Sequence, residues 1–426
     1  MTILQDMARS GCGCDDQQGA KTLISIDRAL ALIVDRATPV SETENLPLGQ
    51  ALGRILAYPV HARSACPSFD NAAMDGYAVC TREMTGDGPW TLDVVARVPA
   101  GQPGDLSLTG LQAARIFTGA PIPTGADAVV MQENVCRTGS AIHIARRPAP
   151  GLNIRRTGSE MAAGTLVLGR GRRIGPREIA ACAAAGAGSV TVQRCLRLAL
   201  LVTGDEVRSV GKTRDEAQIW DVNTPMLTAA LTQPGLELVA VEQGLDSRDG
   251  LYLQIAELAA SADLVITTGG ISVGEEDHVK PAIQNLGGVI HFSGVAIKPG
   301  KPVSFGTVRG VSWLGLPGNP LSAFVTWQLF GTALVARLAG NTGPGTARRH
   351  VVSATAISRK PGRCELRPAT RAGFDGQGRE VVTFQPETHS SQVRALPDAD
   401  GLILIPAENE FLPEGALVEF LPFCRT

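Results

Sequence analysis

A chain of 426 residues exceeds what one compact core usually covers, so about two to four domains are expected. The formal charge of -2 supplies no basic surplus for nucleic acid, which confines any anion site to a local cluster of donors. No apolar run approaches a membrane span, residues 1–20 are polar without a hydrophobic signal core, and the nine cysteines lack zinc spacing or an even framework; together these features point to a cytoplasmic protein with reduced thiols.

Residues 1–20 read as a flexible tail, whose Cys12-Gly13-Cys14 pair is a chance feature or a labile metal contact. Ser25 then caps a helix in which Ile26, Ala29, Leu30 and Ile33 recur at helical spacing until about Ala37. Residues 46–57 repeat that pattern with Leu48, Ala51, Leu52 and Ile55, and Pro59 stops it. The stretch 66–79 changes character and reads as a loop that sets Asp70, Asn71 and Asp75 beside Met74 and Tyr77, although Asp75-Gly76 also suits a plain turn. Short β-type runs at 91–98, 113–118, 128–132 and 141–145 alternate with glycine and proline turns, which predicts a separate β domain. Its loop at 118–123 reads as a structural turn. At 153–160, Arg155 and Arg156 stand beside Gly158 and Glu160, either as a solvated face or as a clamp for an oxyanion. An alanine-rich helix follows at 173–188, opened by Gly175-Pro176 and closed near Gly186.

From Leu196 the rhythm becomes strand, loop, helix. The strand 198–202 ends in Thr203-Gly204-Asp205-Glu206, and Asn223-Thr224-Pro225 opens the next helix with a cap and an early proline. A strand at 239–241 leads through Gly244-Leu245-Asp246 into a helix at 251–260. The apolar run Leu264, Val265 and Ile266 suits a strand covered on both faces of a parallel sheet. Thr267, Thr268, Gly269, Gly270, Ser272 and Gly274 follow with almost no side-chain bulk, and then come Glu275, Glu276 and Asp277. That order suggests phosphate held by backbone N–H groups and a divalent cation held by carboxylates, or a glycine turn into a solvated helix start. Lys298-Pro299-Gly300-Lys301-Pro302 displays two lysines on a stiff segment. The strand 311–316 ends in Pro317-Gly318-Asn319-Pro320, where Asn319 caps and Pro320 starts a long apolar helix. In an open α/β sheet the turns at 203–206, 267–274 and 317–320 all lie at the carboxyl ends of strands and converge on one crevice. Residues 340–345 read as a linker, and β runs at 350–357, 381–385, 401–405 and 417–421 predict a small barrel.

The motifs N-A-A-M-D-G-Y-A from Asn71, F-T-G-A from Phe117, T-G-D-E from Thr203, D-V-N-T-P-M-L from Asp221, T-T-G-G-I-S-V-G from Thr267, K-P-G-K-P from Lys298 and G-L-P-G-N-P from Gly315 occur in that order. In this order they resemble the molybdopterin molybdenumtransferase family, the bacterial MoeA proteins and the related E domain of gephyrin, from about Thr22 onward. The resemblance implies an elongated α/β plus β chain. Its parts would be a flexible tail (1–20), a mixed linking and dimer domain (21–64 and 145–176), an inserted β domain (65–144), a central three-layer α/β domain (177–340) and a C-terminal β-barrel (346–426). It also implies a homodimer whose cleft lies between the α/β domain of one subunit and the β domain of the other. The implied reaction moves molybdenum from molybdate onto the dithiolene of adenylylated molybdopterin, releasing AMP with help from Mg2+.

In that frame Thr203, Gly204, Thr267, Thr268, Gly269, Gly270, Ser272, Gly274, Pro317, Gly318, Asn319 and Pro320 hold the cofactor, and Lys298 and Lys301 neutralise phosphate or molybdate charge. Asp75, Glu160, Glu206, Asp246 and Asp277 match the family's acids, with Thr118 facing them; Glu206, Asp246 and Asp277 are the expected metal ligands. Gly294 stands where the family usually carries a lysine or arginine, Glu160 where aspartate is common, and Arg394 where a small polar residue is frequent; Thr388-His389-Ser390-Ser391 only loosely follows the family's segment. Expected partners are the small-molecule substrates, a molybdopterin adenylyltransferase and molybdoenzyme maturation proteins, with neither nucleic acid nor membrane. Two competing readings keep parts of this picture: an adenylyltransferase or nucleotide pyrophosphatase sharing the T-T-G-G type of domain, and a non-catalytic scaffold.

Overall fold

The computed structural model describes residues 23–102, 105–245, 247–271, 278–343, 345 and 347–423. Cys12, Cys14, Asp246, Ser272, Gly274, Glu275, Glu276 and Asp277 lie outside the described residues.

The first helix, Ile26–Arg36, forms where its apolar spacing and cap predict: the Ser25 hydroxyl accepts from the Arg28 amide at 3.1 Å, and Ile26, Ala29 and Ile33 are buried. Those residues pack into the core of the central α/β sheet, together with Leu198, Leu200 and Phe330. The helix expected at 46–57 does not exist. Thr43–Pro47 is a strand paired antiparallel with Ser189–Gln193, and only Leu48–Gln50 makes a single 3-10 turn. Pro47, Gly49 and Gly53 interrupt the helical pattern, and backbone pairing with an established strand satisfies the amides that a broken helix would leave open.

The β domain is one six-stranded sheet in the order Ala128–Met131, Gly76–Val79, Gln112–Ile116, Trp90–Val98, Ala141–Ile144, Cys136–Thr138. Alternation along Gly76–Val79 sends Tyr77 and Val79 to one apolar cluster and Ala78 to another, so both faces of the sheet are covered.

The central sheet runs Leu236–Gln243, Leu196–Val202, Leu264–Thr268, Val311–Leu316, Ser304–Val308, Val289–Ser293. Its first four strands are parallel; Ser304–Val308 runs antiparallel to them, and the edge strand Val289–Ser293, antiparallel to Ser304–Val308, regains their direction. One face packs against Ile26–Arg36, Asn223–Leu231 and the Pro320–Leu338 helical run; the other packs against Arg248–Ser261 and Val279–Asn285, which makes three layers. The Pro320–Leu338 run corrects the expectation that nothing here approaches a membrane span, since its 19 residues are apolar and long enough to cross one. It is a core element instead: Trp327, Phe330 and Leu334 are buried in the main cluster, and a π-helical turn at Trp327–Gly331 interrupts it.

The C-terminal strands Cys364–Phe374, Glu380–Phe384, Arg349–Ser353, Leu417–Pro422 and Gly401–Ile405 pair in turn, and the last pairs back to the first, closing a five-stranded barrel around Val382, Ile403 and Phe420. The barrel is joined to the central domain by backbone. Ile297–Lys298 pairs parallel with Cys364–Glu365, and the Leu321 amide donates to the Ser390 carbonyl at 3.1 Å.

Candidate active site

The four parallel strands end side by side, and the turns that leave them enclose a cavity of about 940 Å3. Thr203, Gly204, Asp205 and Glu206 leave one strand, Gly269 and Gly270 the next, and Pro317, Gly318, Asn319 and Pro320 the third; all of them line the cavity. This is the edge at which open α/β sheets take their ligands. Close approach of the turns depends on missing side chains. Gly269 sits at φ +88°, and a Cβ there would lie 2.7 Å from both the carbonyl oxygen and the hydroxyl of Thr203.

Thr267 and Thr268 end the strand Leu264–Thr268 behind the cavity lining. They are 0% and 1% exposed, and their hydroxyls serve internal bonds. Trp313 Nε1 donates to Thr267 Oγ1 at 3.1 Å, and the Thr268 hydroxyl donates to the Pro317 carbonyl at 3.0 Å while accepting from Asn223 Nδ2 at 3.0 Å. Both threonines therefore brace the turn and do not offer a hydroxyl to a ligand. Asn223 is corrected as well: Asp221 Oδ1 accepts from the Thr224 amide at 2.9 Å and does the capping. Asn223 Nδ2 also donates to the Gly318 carbonyl at 2.7 Å, so one side chain ties the start of the Asn223–Leu231 helix to the two neighbouring turns. Its Oδ1 is buried without a hydrogen-bond partner among the described residues.

Among the described acids in the expected set, Glu206 alone lines the cavity, with its side chain exposed on the wall. Asp75, Thr118 and Glu160 are elsewhere in the chain. The Asp75 carboxylate accepts from the Thr118 amide at 2.8 Å and from its hydroxyl at 2.7 Å. These two donors, with Arg115 nearby, hold Asp75 below the ordinary carboxylate range and keep it ionised. Arg115 is fixed in turn by donating to the Gly76 carbonyl and lying over the Phe117 and Tyr77 rings. Arg156, one of the two arginines considered for an oxyanion clamp, pairs with Asp70 at 2.6 Å, and the Thr157 amide together with Arg156 lowers the pKa of that carboxyl. Glu160 accepts from Cys66 Sγ at 3.7 Å; partial burial and the adjacent carboxylate push that thiol up.

Neither Lys298 nor Lys301 lines the cavity, although Pro302 at the end of their loop does. Lys298 Nζ lies 3.9 Å from Glu365 Oε2, and Glu365 is buried against Arg359 and Arg367. Gly294, where the resemblance leads one to expect a cation, is buried at φ +107°, and a Cβ there would lie 2.7 Å from Leu23 Cδ2. The backbone at that position favours glycine. Five residues of the lining were not singled out from the sequence: Val207, Ile219, Trp220, His278 and Val279. Ser391, from the segment that only loosely follows the family's, reaches the lining from the connection within the C-terminal domain. Trp220 carries a signal that was available, a tryptophan isolated among the polar residues of 212–221.

Fold and cavity together define a multi-domain α/β protein built to hold a small ligand at the carboxyl edge of its central sheet. Residues 24–186 match the model of the MoeA N-terminal region (domain I and II), residues 199–337 that of a probable molybdopterin binding domain, and residues 350–423 that of the MoeA C-terminal region (domain IV). The chain is 34% identical over 389 residues to molybdopterin molybdenumtransferase 2 of Mycobacterium tuberculosis, covering 89% of this chain and 94% of that one. It is 30% identical over 414 residues to molybdopterin molybdenumtransferase of Bacillus subtilis, covering 94% of each. A crystal structure of the molybdopterin biosynthesis MoeA protein of Pyrococcus horikoshii superposes with a TM-score of 0.79 at 27% identity, covering 94% of this chain and 100% of that one. The chain belongs to the molybdopterin molybdenumtransferase family, and it is a transferase of molybdenum cofactor biosynthesis.

Proposed function

We propose that the protein transfers molybdenum from molybdate to adenylylated molybdopterin with release of AMP, and that the cavity on the central sheet receives the phosphate-bearing pterin. The observation that carries this reading is the meeting, in one cavity of about 940 Å3, of three small-residue turns with a carboxylate, Glu206, on the same wall. Backbone N–H groups at such turns give fixed donors to phosphate oxygens, and they need no reorganisation as charge moves during the reaction. Lys298 and Lys301 add positive charge from the adjoining loop.

Magnesium fits the donors present. Glu206 supplies a hard carboxylate oxygen, and the unpartnered Asn223 Oδ1 belongs to a second cavity residue. Among the described residues no three His, Cys, Asp or Glu side chains converge on a point; Mg2+ commonly keeps several waters and substrate phosphate oxygens in its shell. Glu206 would hold it, together with Asp246 and Asp277 from outside the described residues; when bound, the ion offsets phosphoanhydride charge.

The reading includes a homodimer. Asp75 and Thr118 are bonded to each other outside the cavity of their own chain, and in this reading they reach the cavity of a second copy. There Asp75, ionised at rest, would take protons given up by the dithiolene thiols and pass them to the molybdate oxygens that leave as water. The substrate comes from an adenylyltransferase and the product passes to molybdoenzyme maturation partners, all within the cytoplasm.

The test is molybdate-dependent AMP release from adenylylated molybdopterin by the full chain with magnesium. Glu206→Gln is expected to raise the magnesium concentration needed for half-maximal release by tenfold or more, on the scale of about 1.4 kcal/mol of lost ion affinity. AMP transfer from ATP onto molybdopterin, without molybdate-dependent release, would replace this reading with an adenylyltransferase.

A further inference from the structure

The cavity has two chemically different sides. Opposite in character to the small-residue turns, Ile219 and Trp220 also line it, and they are 53% and 44% exposed. Of the four tryptophans, Trp313 and Trp327 are core residues and Trp90 is half-buried with its Nε1 donating to the Thr85 carbonyl at 2.9 Å. Trp220 stands apart from them. A large amphipathic ring left in solvent at the mouth of a polar cavity is a contact surface awaiting its complement.

Its position is held by backbone. Ile219–Trp220 pairs parallel with Val207–Arg208; the Ile219 amide donates to the Glu206 carbonyl and the Asp221 amide to the Arg208 carbonyl, both at 2.8 Å. Arg214 lies 5.6 Å from the indole centre and donates to the Gln218 carbonyl at 2.6 Å. Both ends of this small sheet, Glu206 and Asp221, are themselves cavity wall. The ring is therefore set at a fixed offset from the phosphate-holding turns, and little ordering remains to be done when a ligand arrives.

We propose that Trp220 is a stacking platform for the planar heterocycle of the cavity ligand, a purine or a pterin. Affinity is then divided between the turns, which take the phosphates, and the indole, which takes the ring. The inference rests on the reading of this cavity as a phosphate-ligand site and adds which residue selects for a flat heterocycle. Its test uses the full chain and three probes: AMP, a pterin monophosphate, and inorganic pyrophosphate, which carries no ring. Intrinsic fluorescence of the unaltered protein should be quenched by the ring-bearing probes, and Trp220→Phe should lose that quench while calorimetric affinity stays within about threefold.

Trp220→Ala should weaken a ring-bearing probe by about 5- to 100-fold, the span expected for loss of one base–aromatic stack, and leave pyrophosphate unchanged. Loss confined to AMP identifies the seated ring as the purine, and loss confined to the pterin identifies it as the pterin. Unchanged affinity for both, with pyrophosphate binding intact, overturns the platform and leaves the cavity reading standing. So does a shift of Trp220→Ala from dimer to monomer on size-exclusion chromatography with unchanged affinities, since the ring then serves a second copy of the chain. Failure of all three probes on the unaltered protein sinks the cavity reading first and this inference with it. The unfolding temperature of Trp220→Ala should match the parent, because the side chain contributes to none of the core clusters.

Discussion

Asn223→Ala is the most informative single change for the architecture of the site. The amide nitrogen donates to Thr268 Oγ1 at 3.0 Å and to the Gly318 carbonyl at 2.7 Å, and the residue is 7% exposed. Truncation leaves the Gly318 carbonyl short of a buried donor, while the Thr268 hydroxyl keeps its bond to the Pro317 carbonyl. Two net hydrogen bonds at about 1 kcal/mol each, plus part of the penalty for a stranded acceptor, give about 2–3 kcal/mol. For a domain of this size that lowers the melting temperature by roughly 5–10 °C. The loss should also be local: amide hydrogen exchange at 318–319 and 267–269 should speed up while the C-terminal barrel is unchanged, and AMP release should fall more through KM than through turnover. Asn223→Asp should be at least as damaging, because it sets a carboxylate against a carbonyl oxygen. Unchanged exchange at both turns together with unchanged KM would refute the claim that this side chain holds the turns in register.

Three further outcomes follow from the same geometry. Gly269→Ala places a Cβ 2.7 Å from the Thr203 carbonyl in a left-handed backbone conformation, and should cost about 1–3 kcal/mol by calorimetry while abolishing pyrophosphate binding. Glu365→Gln removes the carboxylate that Arg359, Arg367 and Lys298 share, and should destabilise the barrel by about 3–5 kcal/mol in urea melts. A loss under about 1 kcal/mol would show Arg359 to be carried by its backbone carbonyls and Arg367 by the Phe384 ring. Asp75, whose pKa is lowered by the Thr118 amide and hydroxyl and by Arg115, contributes stability that is present above the ordinary carboxylate pKa and is lost only as pH falls through its depressed folded value. Thr118→Val keeps the amide and deletes the hydroxyl, so the midpoint of an Asp75 carboxyl NMR titration should move up; an unmoved midpoint would leave the hydroxyl without a role.

What could be read from sequence alone followed the range of the forces involved. The Ile26–Arg36 helix is local in every respect: its cap lies three residues from the amide it satisfies, and its apolar residues recur within one stretch. The buried strand Leu264–Thr268 was equally plain, because a strand covered on both faces needs an unbroken apolar run. The stretch 46–57 carries helical periodicity too, yet its flank Thr43–Pro47 pairs with Ser189–Gln193, a partner supplied from far along the chain. Periodicity states which residues want burial, and it cannot say whether a distant edge will offer hydrogen bonds first.

The site shows the same division more sharply. Glycine positions in the three turns were legible because backbone geometry at Gly269 excludes any other residue, whatever the ligand. Side-chain roles were not, because Thr267, Thr268 and Asn223 have hydroxyl and amide groups whose reach suits a ligand, a helix cap or a neighbouring turn equally well. Packing decides among these. Trp313 and Gly318 come from the strand and turn that adjoin Leu264–Thr268 in the sheet, and their register places an indole N–H on Thr267 and a carbonyl on Asn223. Polar residues next to a ligand cavity are therefore of two kinds, those that hold the wall and those that face the ligand. The distinguishing measurement is whether a substitution moves local exchange before it moves affinity. Asn223→Ala should move exchange first, whereas Trp220→Ala should move affinity with exchange unchanged.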